Sequence, residues 1–186
     1  MSGGAKWGII PFVLERVTLL VFTGTYDHTI DTKNRLAIPA EVRSQIKRSI
    51  KTGKGDAVFL YVTLGSDGAL CLYTEKGYEQ RADELDDSEM DAEELLEYER
   101  MFYSLSKLVE LDKQGRVTLP GDLLTRSGLG TEVVLIGVKD HIEVRDRKAW
   151  NEHLERRLKD RPNILMNPRL AMRRRRNSTQ GQDDQN

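Results

Sequence analysis

Two short stretches hold the residue types best suited to chemistry. DTKNRLAIP runs from Asp31 to Pro39, and DKQGRVTLP from Asp112 to Pro120. In each, Asp, Arg and Pro take the first, fifth and ninth places, with apolar residues at the sixth and eighth. An Asp and an Arg that bracket three residues can face each other across a hairpin. One use of such a pair is to pin the turn through a charge-assisted hydrogen bond. The other is to present Arg35 with Lys33, and Arg116 with Lys113, to DNA. A guanidinium can bond guanine O6 and N7 bidentately, while Asp31 and Asp112 orient the arginines.

Catalysis finds little support. Three histidines and one cysteine, with no H-x-x-x-H or C-x-x-C, spell no metal constellation, so neither metal nor cofactor is expected. GKGD at Gly53–Asp56 lacks the spacing of a phosphate-binding loop and its Lys-Ser/Thr pair. The carboxylates between Asp83 and Glu99 are too many for a tuned acid–base pair and fit a solvated helix face. No small-molecule substrate follows from any of these. His28, in a strand-like run, is expected to be packed or hydrogen-bonded rather than to act as a base. Cys71 stands alone in an apolar run and is expected to be buried and reduced, which fits a reducing cytoplasm.

The elements that must position the two stretches recur in matching order. After each Pro comes a helix-like segment, AEVRSQIKRSI or GDLLTRSGLG. An apolar run follows, AVFLYVTL or EVVLIGV, then a polar turn, then ALCLYTEKGYEQ or HIEVRDRKAWNE. Lys76 and Tyr78 fall where Lys148 and Trp150 fall. The order argues for an internal duplication. Each copy is expected to run strand, turn, strand, short helix, strand, turn, strand, with Tyr26, His28 and Ile30 on one face and Leu36 and Ile38 on another. Gly115 suits a left-handed turn position, and Asn34, the next most tolerant residue there, keeps the turn in the first copy. Pro39 and Pro120 fit the first helical position, with Glu41 and Asp122 favourable to the helix dipole in the first turn.

A unit of roughly 80 residues is marginal alone, and a lone hairpin is unstable in water. Interleaving the strands of both copies would complete one shared small barrel. The fold expected is mainly β with α. Residues 1–20 form an N-terminal extension, 21–80 a first repeat and 81–104 an acidic linker helix. Residues 105–158 form a second repeat with its following helix, and 159–186 a basic disordered tail. In that second helix Trp150 and Leu154 share a face.

The net charge of −1 hides strong segregation, acidic between Asp83 and Glu97 and basic at the end of the chain, so it does not argue against nucleic acid. Arg43, Lys47, Arg48, Lys51 and Lys54 either make an ordinary solvated face or contact phosphates. Arg173 to Arg176 likewise either solubilise a tail or add nonspecific phosphate contacts. The apolar start is interrupted by Pro11, Glu15 and Arg16, and neither a membrane span nor a signal peptide is expected.

The doubled motif resembles MraZ, a family within the AbrB-like swapped-hairpin transcription factors. VFTGTYDHTIDTKNRLAIPAEVR resembles its start, and ELDKQGRVTLPGDLL with VVLIGVKDHIEV its second half, a likeness spanning Val21 to Leu158. The first motif departs from it in having Asn34 for Gly. The family's usual start falls at Val21, so Met1 to Leu20 is expected to be an over-extended gene start or a loosely attached extension. The resemblance implies tandem AbrB-like swapped-hairpin barrels without enzymatic activity. It implies a bacterial regulator, nucleoid-associated in the cytoplasm, that represses a division and cell-wall gene cluster from G-rich direct repeats. It also implies double-stranded DNA as partner, a ring homo-oligomer, and a DNA-binding role for Arg35 and Arg116. An antitoxin-like module, binding a toxin and its own operator, and a non-catalytic ring scaffold are the alternative readings.

Overall fold

The structure, a computed structural model, describes residues 21–49, 57–86 and 91–162. The expectations for Met1–Leu20, Lys51, Lys54, the GKGD stretch and the arginine run Arg173–Arg176 lie outside those residues.

The first repeat supplies β1 (Thr25–Thr29), β2 (Arg35–Ala37), α1 (Ala40–Ser49), β3 (Val58–Leu64), β4 (Leu70–Thr74) and α2 (Glu75–Asp86). Helix α3 (Ala92–Ser104) leads into the second repeat, β5 (Lys107–Leu111), β6 (Arg116–Thr118), α4 (Gly121–Ser127), β7 (Glu132–Val138), β8 (His141–Asp146) and α5 (Arg147–Asp160). The strand segments are rich in Val, Leu, Ile, Phe and Tyr, which fit a pleated, half-buried surface.

All eight strands form one antiparallel sheet in the order β1-β7-β8-β4-β3-β5-β6-β2. Strands of the two repeats thus interleave, as a shared barrel requires. The sheet nearly closes, because a bridge between Ile30 and Leu36 brings the outer strands β1 and β2 together. Its counterpart is the Leu111–Val117 pair between β5 and β6. At two seams a strand meets its own counterpart. Between β2 and β6, Leu36 pairs with Val117, flanked by Arg35 with Thr118 and Ala37 with Arg116. Between β4 and β8, Leu70 pairs with Val144 and Leu72 with Ile142. A pseudo-two-fold axis therefore passes through both seams.

Alternation sends one set of side chains inward. Leu36, Leu60, Leu72, Val117, Leu135 and Val144 are all buried in a core drawn from both repeats. Full burial of such a side chain stabilises by about 1.5–3 kcal/mol. No single repeat owns this core, which is why neither is expected to persist alone. Tyr26, His28 and Ile30 do share the more buried face of β1.

Two local readings need correction. Pro39 and Pro120 do not occupy the first helical position; each stands one residue before it. Pro120 has φ −61° and ψ 130°, an extended backbone, and is the N-cap of α4. Its carbonyl accepts from Leu124 N–H at 3.0 Å, and the Pro39 carbonyl from Arg43 N–H at 2.9 Å. An N-cap carbonyl accepts the first helical bond while its ψ is still that of the preceding strand. The prolines therefore end the strands rather than begin the helices.

The stretch 81–104, read as one linker helix, holds the end of α2 and the separate α3. Asp91 caps α3 by accepting from Glu93 N–H at 3.0 Å and Glu94 N–H at 2.9 Å. An aromatic cluster ties both helices to the barrel: Tyr78 of α2 stacks on Tyr61 of β3 at 4.1 Å and on Phe102 of α3 at 5.3 Å. At the other end, Leu154 of α5 is exposed, so the expected Trp150–Leu154 face is not a buried one.

Candidate nucleic-acid interface

The two quoted stretches form two equivalent turns beside the β2–β6 seam. Asn34 N–H donates to the Asp31 carbonyl at 2.9 Å, and Gly115 N–H to the Asp112 carbonyl at 2.9 Å. Asp31 N–H and Asp112 N–H then donate to the carbonyls of Arg35 and Arg116 at 3.0 and 2.8 Å. This is a three-residue hairpin loop closed by one left-handed residue. Asn34 (φ 59°) and Gly115 (φ 77°) hold that position.

Each turn is also tied to the other repeat. The Asn34 carbonyl accepts from Leu119 N–H at 2.8 Å, and the Gly115 carbonyl from Ile38 N–H at 2.9 Å. The left-handed residue thus both reverses its own chain and anchors the end of the opposite motif.

The aspartates organise the turns from within. Asp31 Oδ1 accepts from Lys33 N–H at 2.8 Å and Arg35 N–H at 2.9 Å. Its Oδ2 accepts from Arg35 Nε at 2.7 Å and pairs with Nη2 at 2.6 Å. Asp112 Oδ1 accepts from Gln114 and Arg116 N–H, both at 2.9 Å, and Oδ2 from Arg116 Nε at 3.0 Å. The Arg35 side chain, then its backbone N–H, holds the Asp31 carboxyl down to about 2. Asp112 is held below the usual carboxylate range chiefly by Arg116 N–H, with the Arg116 side chain adding to it and burial opposing.

The copies differ in one contact. Arg35 spends Nη2 on Asp31, whereas Arg116 Nη2 donates to Gln114 Oε1 at 2.6 Å. Of the five guanidinium N–H groups, these bonds leave both Nη1 hydrogens and one on Nη2. Both side chains are about one-third exposed, 32% and 30%. In the register of the seam, Arg35 and Arg116 alternate with the inward Leu36 and Val117, so both lie on the outer face. They are diagonal neighbours there, a relation worth about 7–8 Å between backbones.

The remaining candidates divide. Lys33 and Lys113 are exposed but take the third and second places of their turns, so they are not equivalents. Lys47 and Arg48 are exposed in the last turn of α1. Arg43 is not on an open helix face: it is half-buried against the opposite turn, where a Cβ on Gly115 would meet its Cδ at 2.6 Å. Neither this role nor that of Gln114 follows from the sequence, because both depend on how the repeats interlock. The one available signal was a glycine in a motif where the other copy tolerates Asn.

The model of a family described as "MraZ protein, putative antitoxin-like" matches residues 21–98 and 102–165, one stretch for each repeat. That coverage takes in both turns, the seam between them and all eight strands. The chain belongs to the MraZ family.

Proposed function

We propose that the chain is a sequence-specific transcriptional regulator that binds double-stranded DNA through Arg35 and Arg116. The family is one of antitoxin-like regulators rather than of catalysts, and we take the chain itself to be no enzyme. One observation carries the reading: both guanidinium groups stand on one outer face of the two-stranded β2–β6 ribbon, each held by an aspartate, with both Nη1 hydrogens and one on Nη2 left over. Such a ribbon suits the major groove, where guanine O6 and N7 accept from an arginine fork. Lys33, Lys113, Lys47 and Arg48 then supply phosphate contacts that add affinity without reading sequence.

The operator is a set of G-rich direct repeats, and the effect is repression of a division and cell-wall cluster, with the protein at the nucleoid in the cytoplasm. Direct repeats suit a homo-oligomer, most simply a ring, presenting several ribbons side by side. In support, Phe59 of β3 and Leu108 of β5, diagonal neighbours on one face of that strand pair, both expose large apolar side chains. Apolar surface gathered in one region is the mark of an interface. Among the described residues no helix is long and apolar enough to cross a membrane.

Footprinting of the chain on the DNA upstream of its own gene tests the proposal. Protection of regularly spaced G-rich repeats, lost in Arg35→Ala, is the expected outcome; a uniform or absent footprint sinks it. Native mass spectrometry gives the subunit count, and a monomer would remove the ring. The family's antitoxin-like description favours a second reading, in which the chain also binds a toxin. Co-purification of one stoichiometric partner from the native host would favour that reading.

A further inference from the structure

The β4–β8 seam, at the far end of the pseudo-two-fold axis from the turns, gathers a second set of polar side chains. Leu70, Leu72, Ile142 and Val144 point into the core, so Cys71, His141 and Glu143 lie together on the outer face. Cys71 and Glu143 are direct cross-strand partners, and His141 precedes Glu143 by two residues on the same face. One donor atom from each, the thiol sulfur, a ring nitrogen and a carboxylate oxygen, lies within 4.8 Å of the others. We propose that Cys71, His141 and Glu143 bind a divalent ion of borderline softness, Zn2+ foremost, that clasps the first repeat to the second.

The donor set is the right chemistry. Zinc takes thiolate, imidazole and carboxylate together, four-coordinate, with bonds of about 2.0–2.3 Å. Donors around such an ion stand about 3.5 Å apart, so the cluster closes by about 1 Å at its widest. Water completes the fourth position.

The surroundings are those of ligands held in place. Glu143 Oε2 accepts from Arg145 Nε at 2.6 Å, while Oε1 faces His141 Nε2 at 3.6 Å. One carboxylate oxygen is therefore fixed and the other turned to the cluster. His141 Nδ1 is buried and pairs with Asp140 Oδ1 at 3.3 Å, although not in hydrogen-bond alignment. A carboxylate behind a ligating imidazole fixes its tautomer and raises its basicity. Tyr73 stacks on the same ring at 4.9 Å. A Cβ on Gly65 would meet Cys71 Sγ at 2.5 Å, so the thiol sits where only glycine leaves it room. With the ion bound, its two charges and that of Arg145 balance the thiolate, Glu143 and Asp140. His141 and Glu143 remain 15% and 16% exposed, which gives the ion a way in.

The test uses the full chain, untagged and reduced, titrated with Co2+ as a spectroscopic stand-in for zinc. Cys71 is the single cysteine, so a thiolate-to-cobalt charge-transfer band reports this site alone. The expected result is a band saturating at one equivalent, bleached by Zn2+, absent in Cys71→Ser, and shifted to at least tenfold weaker affinity in His141→Gln and Glu143→Gln. Zinc should also raise Tm in the wild type by mass action and leave Cys71→Ser unmoved. Should Cys71→Ser fail to fold, the His141 and Glu143 variants decide. Absence of the band in folded wild-type protein overturns the proposal, as does unchanged affinity in both of those variants.

Discussion

The Arg43 side chain of the first repeat lies across Gly115 of the second, so close that a Cβ on Gly115 would stand 2.6 Å from Arg43 Cδ and 2.7 Å from Nη1. Gly115 is also left-handed, φ 77°, and its carbonyl accepts from Ile38 N–H. Conformation, contact and cross-repeat bond thus meet at one residue.

Gly115→Ala should therefore destabilise by about 1–3 kcal/mol, from left-handed strain plus displacement of Arg43. Asn34→Gly, at the equivalent φ of 59°, should change stability by less than about 1 kcal/mol. Urea melts of the two variants check this. Equal tolerance at both sites would mean that Arg43 moves aside freely and that the interlocking of the turns is loose.

Acid should reach the first turn late. The Asp31 carboxyl titrates near 2 in the folded protein, below its ordinary 3.8. Between those values the unfolded chain binds more protons than the folded one, so stability falls as pH falls. The Asp31–Arg35 contribution is complete above pH 3.8 and is lost as pH drops through about 2. Carboxyl carbon shifts followed by NMR should show Asp31 still ionised at pH 3. In Asp31→Asn the stability curve should be flatter across that window. An ordinary midpoint near 3.8 would contradict the geometry of the turn.

Gly137 controls the entry of the chain into the barrel. A Cβ there would meet Thr23 N at 2.4 Å and the Phe22 carbonyl carbon at 2.5 Å, and backbone cannot step aside as a side chain can. Phe22 is 1% exposed and bridges to Lys139. Gly137→Ala should expel Phe22, with a loss of about 3 kcal/mol, the upper end for one large side chain. Hydrogen exchange at Phe22 N–H, bonded to the Lys139 carbonyl at 2.7 Å, reads the outcome directly. Unchanged protection would show that β7 can shift to accommodate the methyl group.

Much of this arrangement was legible in the residues because it depends on short-range rules. Asn34 and Gly115 mark left-handed turns, Leu36 and Val117 alternate with Arg35 and Arg116, and two marginal repeats call for a shared core. Positions that depend on register between distant strands were not legible. Cys71 and His141 are seventy residues apart and carry no spacing motif, yet the β4–β8 seam puts them side by side. Arg43 looked like one more cation on a helix, because nothing local says that the opposite turn lies beneath it. The start of α2 at Glu75 was hidden for a different reason: LCLYT runs straight into EKGYEQ, and no proline or glycine precedes the helix to mark its start.

The central claim is that the paired arginines read DNA, and fluorescence anisotropy tests it most directly. Purified chain is titrated against a G-rich direct-repeat duplex and a scrambled control at two salt concentrations, with Arg35→Ala and Arg116→Ala beside the wild type. Wild type should prefer the repeat duplex, with each mutant losing about 1–3 kcal/mol of that preference while it stays folded, its Tm lowered only by loss of the arginine–aspartate pair. Equal, salt-sensitive binding to both duplexes, unchanged by either substitution, would contradict the account and leave the two turns as architecture.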